Sequence, residues 1–170
     1  MSVWLHGMRA ANLCRTPLAS WVDMDATAAD TAIATIAAPQ HGAFARRQAT
    51  AAGITERQLR QRVSTGRLRD LGEQVLLVHG AHLTWRLKVC IATLAATGGV
   101  ASHRTAAALW RLPGFAENLI EVTREMASTA ASKHAKVHRS RWLPAHHVVM
   151  IDGIRVTTVA RTLFDLAAVV

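Results

Sequence analysis

Apolar positions along this chain change their period several times, and each change marks an element. Between Thr27 and Ala38 the residues Ala29, Ile33, Ile36 and Ala37 recur at helical spacing until Pro39 stops the run, which predicts a first helix. After His41-Gly42, Phe44 leads into a short second helix from Arg46 to Ala52, closed by Gly53 where a left-handed residue is wanted. Thr55-Glu56-Arg57-Gln58 then has the form of a capping box, with Ile54 and Leu59 at the two positions of a hydrophobic staple. On the third helix Leu59 and Val63 share one face. A wheel of about 100° per residue puts Arg57, Gln61 and Ser64 on the other face, flanked by Arg60 and Arg62. Gly66 ends the helix. Leu68 and Leu71, a turn at Gly72 and the run Val75 to Val78 follow as a small hairpin.

Thr84 to Ala96 reads as an apolar helix, and after Gly98-Gly99 another starts with Ser102 as N-cap and ends at Pro113-Gly114. Strand-like runs come next at Asn118 to Thr123, Lys136 to Arg139, His147 to Ile151 and Ile154 to Thr157, with Asp152-Gly153 as a two-residue hairpin turn. Met126 to Lys133 (MASTAASK) reads as a flexible loop. A last helix, Thr158 to Ala168, is expected to carry Leu163, Leu166 and Ala167 inward, and the chain stops at Val169-Val170 as if cut. Residues 1–23 show neither period. They read as an upstream extension of a protein that starts at Met24, or equally as a short natural arm. The predicted class is α+β, with a winged helix-turn-helix over residues 24–80 and a small α+β domain, truncated at its C-terminal end, over residues 81–170.

Charge adds a partner to this picture. The 170 residues include 20 Lys and Arg against 11 Asp and Glu, a formal charge of +9, so a polyanion is the first partner to consider. Only three of the 20 are Lys (Lys88, Lys133 and Lys136), and Arg forks suit phosphate and guanine edges, although a GC-rich genome explains the bias equally well. Within the predicted winged helix, Arg57, Gln61 and Ser64 are placed to read bases in the major groove of double-stranded DNA. Arg60, Arg62, Arg67 and Arg69 are placed to hold phosphates, and Arg46 and Arg47 on the preceding helix to add backbone contacts. Cys14 and Cys90 stand alone, which suggests neither a zinc site nor a disulfide framework and suits a reducing cytoplasm. Apolar runs stop well short of the ~20 residues of a membrane span.

Several phrases resemble a known family. Residues 40–80, with AAGITERQLRQRVSTGRLRDLGEQVLLV, resemble the N-terminal winged helix of AbiEi-type antitoxins, the autorepressors of type IV toxin-antitoxin systems. VASHRTAAALWRLPG, VHRS and DGIRVTTVARTLFDLA resemble the middle region of a mainly actinobacterial group. That group joins this winged helix to a domain similar to very-short-patch-repair endonucleases. The resemblance runs from Asp25 to Ala168 and implies a DNA-binding regulator, with a nucleotidyltransferase-like toxin as a possible cognate partner. Two departures weaken the second helix start and the hairpin packing: Ala45 stands where the family usually has a Ser or Thr cap, and Leu76 where an aromatic residue is common. The nuclease-like part has no counterpart here. Two rival readings remain, the front portion of such an endonuclease and a toxin-binding interaction protein.

Other chemistry is expected to be structural. His134, His138, His146 and His147 lie in strand and loop without a Cys or paired carboxylate to complete a metal shell, and read as surface histidines. Arg161 and Asp165, one turn apart, read as a structural ion pair. His103-Arg104 reads as part of a plain capped helix rather than a phosphate site. Neither a catalytic residue, a metal nor a cofactor is expected.

Overall fold

A computed structural model describes residues 19–125 and 132–168, with side chains from residue 26 onward. The polypeptide is mixed α+β and carries two sheets. Its first half comprises α1 (Ala19–Ala37), β1 (Ala43–Ala45), α2 (Arg46–Ala51), α3 (Glu56–Ser64), β2 (Leu68–Gly72) and β3 (Val75–Val78). Its second half comprises α4 (Trp85–Ala95), β4 (Val100–Ala101), α5 (His103–Leu109), β5 (Glu121–Glu125), β6 (Lys136–Ser140), β7 (Val148–Ile151), β8 (Ile154–Thr157) and α6 (Val159–Ala167). Of the segment read as an upstream extension or a short arm, residues 1–18 lie outside the described residues. Helix α1 starts at Ala19, ahead of the predicted Thr27.

The first three strands form an antiparallel sheet in the order β1-β3-β2, and period-two alternation divides its side chains between two cores. Phe44, Leu68 and Leu76 point to one face, where they pack with Ala29, Ile33, Ala49 and Leu59 of the three helices. Ala43, Ala45, Val75 and Leu77 point to the other face and join Leu87, Val89 and Cys90 of α4 and Ile154 and Val156 of β8. The hairpin turns at Glu73 and Gln74, both with positive φ (50° and 64°), and not at Gly72 as the sequence suggested. That pair of left-handed residues matches the twist of the flanking strands.

A second sheet, ordered β6-β5-β4-β8-β7, mixes parallel pairs (β5 with β6, β4 with β8) and antiparallel ones. Helix α4 lies between the two sheets, so the expected boundary at residue 80 falls between elements that share one core. Polar ties cross it as well. His41 Nε2 lies 2.9 Å from the Asp152 carbonyl oxygen, Arg86 pairs with the Asp152 carboxylate, and Arg47 donates to the Leu94 carbonyl at 3.1 Å. Glu73, at the tip of the β2–β3 hairpin, accepts from Ser132 Oγ and from the Lys133 backbone N–H, both at 2.8 Å.

The Asp152-Gly153 turn joins β7 to β8 as predicted, with φ of 46° and 74°, and it seats on the Pro39 turn after α1. A Cβ built on Gly153 would overlap the Pro39 carbonyl oxygen. Gly153→Ala therefore combines the roughly 1–2 kcal/mol of a left-handed Ala with a backbone clash. Its melting temperature is expected to drop by several degrees in a thermal scan, whereas an unchanged value would show that the two turns part at little cost.

Candidate nucleic-acid interface and a buried polar network

Helix α3 begins as its sequence dictates. The Gln58 backbone N–H donates to Thr55 Oγ1 at 3.3 Å, while the Thr55 N–H donates to Gln58 Oε1 at 2.9 Å. This reciprocal pair fixes the helix start and leaves Glu56 in the first turn, where a negative charge favours the helix dipole. Leu59 is fully buried and Ile54 nearly so, and they anchor one side of the helix. Arg57, Arg60, Gln61 and Ser64 are exposed on the other side. Their chemistry differs, because the Ser64 hydroxyl is spent on the Gln61 carbonyl at 2.8 Å. No side-chain partner is found for Arg57 or Arg60 among the described residues.

The remaining arginines divide. Arg62, expected at the flank of the exposed face, is instead buried, its side chain only 7% exposed. It donates from Nε to Asp30 at 2.6 Å, from Nη1 to the Gln58 carbonyl at 3.1 Å and from Nη2 to the Ala26 carbonyl at 3.0 Å, so it ties α3 to α1. Three donors spent inside the fold leave no fork for a phosphate, which overturns its expected role. Arg46 is similarly occupied, pairing with Glu56 and, at 2.6 Å, with Asp70. Asp70 is held below the ordinary carboxylate range by the Gly72 backbone N–H and then by Arg46, with burial opposing both. Backbone contacts by Arg46 would have to break that triad.

Arg67 remains largely exposed at 67% and touches Asp30 at 3.0 Å. Arg69 is exposed and pairs in register with Leu77, which points to α4. Arg47 is exposed on α2, but one of its guanidinium nitrogens donates to the Leu94 carbonyl, which leaves only the rest of the fork for a phosphate. The departure at Ala45 is only partly made good: Gln48 Oε1 accepts the Ala45 N–H at 2.8 Å, but Ala45 has no side-chain oxygen to return the bond. At Leu76 the smaller side chain is fully buried against Phe44 and Leu59.

A second cluster, beneath α5 and α6, was missed by reading the sequence. Glu121 on β5 is completely buried, and its carboxylate accepts the Arg104 backbone N–H at 3.1 Å and lies 3.1 Å from His138 Nε2. The His138 ring stacks on His103 with centroids 3.7 Å apart. Ser102 Oγ accepts from Thr123 at 2.7 Å and lies 2.9 Å from His103 Nδ1, so Ser102 does not cap α5. A carboxylate already occupies that helix start, which argues against phosphate there. His138 is thus part-buried, not the surface histidine expected. The strand Glu at a buried position was the one signal available. Arg161 and Asp165 form the predicted ion pair at 2.7 Å, and Arg161 also donates to the Trp142 carbonyl at 3.0 Å and to Ser140 Oγ at 3.2 Å.

This cluster makes stability depend on pH. Burial, and then the neighbouring His138, hold the His103 imidazole below its ordinary 6.5. As pH falls through 6.5 the unfolded chain gains a proton that the folded one refuses, so stability declines. Burial alone would raise the Glu121 carboxyl, but the Arg104 N–H and then His138 outweigh it and hold the group below 4.5. Its contribution is present above 4.5 and is lost as pH falls through the lower folded value. The melting temperature should therefore sink in acid, beginning below about pH 6.5 and steepening below about pH 4.5. A flat profile across both ranges would contradict the network.

No group of three or more His, Cys, Asp or Glu among the described residues is placed to hold a metal ion, and no described helix is long and apolar enough to cross a membrane. No family model matches this chain, and no curated protein is found to be similar to it.

Proposed function

We propose that this chain is a DNA-binding transcriptional regulator of the AbiEi antitoxin type, acting as an autorepressor in the cytoplasm. In this reading α2 and α3 are a helix-turn-helix, β2 and β3 are its wing, and double-stranded DNA is the partner. The single observation that carries it is the solvent face of α3, where Arg57, Arg60 and Gln61 project from a helix anchored on its far side by Leu59 and the inward-turned Arg62. A helix held in this way presents a rigid row of forked donors and one amide, the side chains that match guanine and adenine edges.

Within the proposal Arg57 and Gln61 read bases, and Arg60, Arg67 and Arg47 hold phosphates. Arg62 and Arg46 support the helix from behind. No catalytic step is assigned, and a nucleotidyltransferase-like toxin remains the proposed cognate partner through the AbiEi resemblance. The test is selection of bound sequences from a randomised pool of duplex DNA. Enrichment of a short motif is the expected result, and a pool that stays random through repeated rounds would remove the reading.

A further inference from the structure

The start of α3 carries more negative charge than its fold requires. Arg46 is largely buried, its side chain 16% exposed, and it meets two carboxylates, Asp70 at 2.6 Å and Glu56. Asp70 alone neutralises it, and the Gly72 backbone N–H, donating to Asp70 Oδ1 at 2.8 Å, fixes that carboxylate in place. Glu56 is therefore the surplus charge among one cation and two anions. Its side chain is 51% exposed, only Oε1 is bonded to Arg46, and no partner is found for Oε2 among the described residues.

The position of this acid is also unusual. Gln58, the third residue of α3, closes the capping box as an amide, although a Glu there would serve the box and the helix dipole together. The acid stands instead at the first residue, next to Arg57 and one turn before Arg60 on the exposed side of the helix. On a surface that meets phosphates, a carboxylate is repelled. Its presence there calls for a hydrogen-bond donor to receive.

We propose that Glu56 reads a cytosine in the major groove, an inference that rests on the reading of α3 as a recognition helix. The groove offers donors only on exocyclic amines, N4 of cytosine and N6 of adenine. Adenine sets its N7 acceptor beside the amine, which repels a carboxylate and suits an amide such as Gln61. Cytosine presents its amine with no acceptor beside it on the same base. The first residues of a recognition helix are the ones that meet base edges. Held on Oε1 by a guanidinium that Asp70 holds in turn, the carboxylate is kept in place with Oε2 left to accept. Arg46 thereby becomes a positioning residue.

Selection from randomised duplex DNA, run in parallel on the wild type, Glu56→Gln and Glu56→Ala, tests this. Each variant is first checked for an unchanged melting temperature, the expected result at an exposed position. The wild type is expected to select a motif containing a cytosine that both variants cease to favour, with the other positions kept. In competition, changing that cytosine should weaken wild-type binding at least about fivefold, the low end for one base pair, and leave the variants indifferent. Scrambled duplexes should bind the variants as tightly as the wild type or tighter, because a repelled charge is gone. Variants that lose the fold, that keep the cytosine, or that lose affinity for selected and scrambled duplexes alike overturn the inference and make Glu56 a support for Arg46. A wild type that selects no motif overturns the recognition-helix reading itself, and this inference with it.

Discussion

Leu59→Ala is expected to remove about 2–5 kcal/mol of stability, the range for truncating a fully buried leucine where the surroundings collapse only in part. Leu59 is 0% exposed and meets Phe44, Ile54 and Leu76 where all three N-terminal helices converge on the first sheet. Domains of this size carry only ~5–15 kcal/mol in total, so the variant should melt far below wild type in a calorimetric or circular-dichroism scan. Any DNA binding should be lost with it, through unfolding and not through a missing contact. A melting temperature within a degree of wild type would mean that α3 is not anchored by this residue.

The second large effect is one of specificity. Arg57 and Gln61 stand one turn apart on the exposed face, so one groove can receive both. Each bidentate base contact is worth roughly 1–3 kcal/mol of discrimination, so Arg57→Ala with Gln61→Ala should together cost about 2–6 kcal/mol of preference for the selected sequence. The double variant should keep its melting temperature, since neither side chain enters the core. Arg67→Ala differs in kind and should weaken binding to every duplex alike. Competition assays with selected and scrambled duplexes separate the two outcomes. Equal losses in both variants would make α3 a general basic surface.

What was legible in the sequence was what neighbouring residues decide. The capping box of Thr55 and Gln58, the Asp152-Gly153 turn and the helix stop at Gly66 each depend on a few adjacent positions, and all appear in the structure. The ion pair of Arg161 with Asp165 is equally local. Strands β1 and β4, of three and two residues, are too short to display a period. Arg62 was misplaced because a helical wheel puts it at the edge of two faces, and the deciding partner, Asp30, lies 32 residues away.

Helix α6 shows the same limit more strongly. Its pattern predicts Leu163 and Ala167 inward, yet both are exposed while Thr162 and Asp165 are buried, because Thr162 meets the hydroxyl of Thr157 and Arg161 draws Asp165 in. His103 and Glu121 are 17 or more positions from most of what they touch, and β5, β6 and α5 had to be assembled before the network existed. Exposure on the solvent face of α3 was legible for Arg57, Arg60 and Gln61, since burial there follows from the local stripe of Leu59 and Val63.

The measurement that bears most directly on the proposed function is equilibrium binding of the folded chain to duplex DNA, followed by fluorescence anisotropy as salt is raised from about 50 to 200 mM. Neutralised phosphates release counterions, so the logarithm of affinity should fall linearly with that of salt, by about 0.9 for each phosphate held. With Arg60, Arg67 and Arg47 in that role, the expected slope is close to −3, and Arg67→Ala should make it shallower by about one. Binding that is absent at the lowest salt, or that stays flat across the range, would contradict the account.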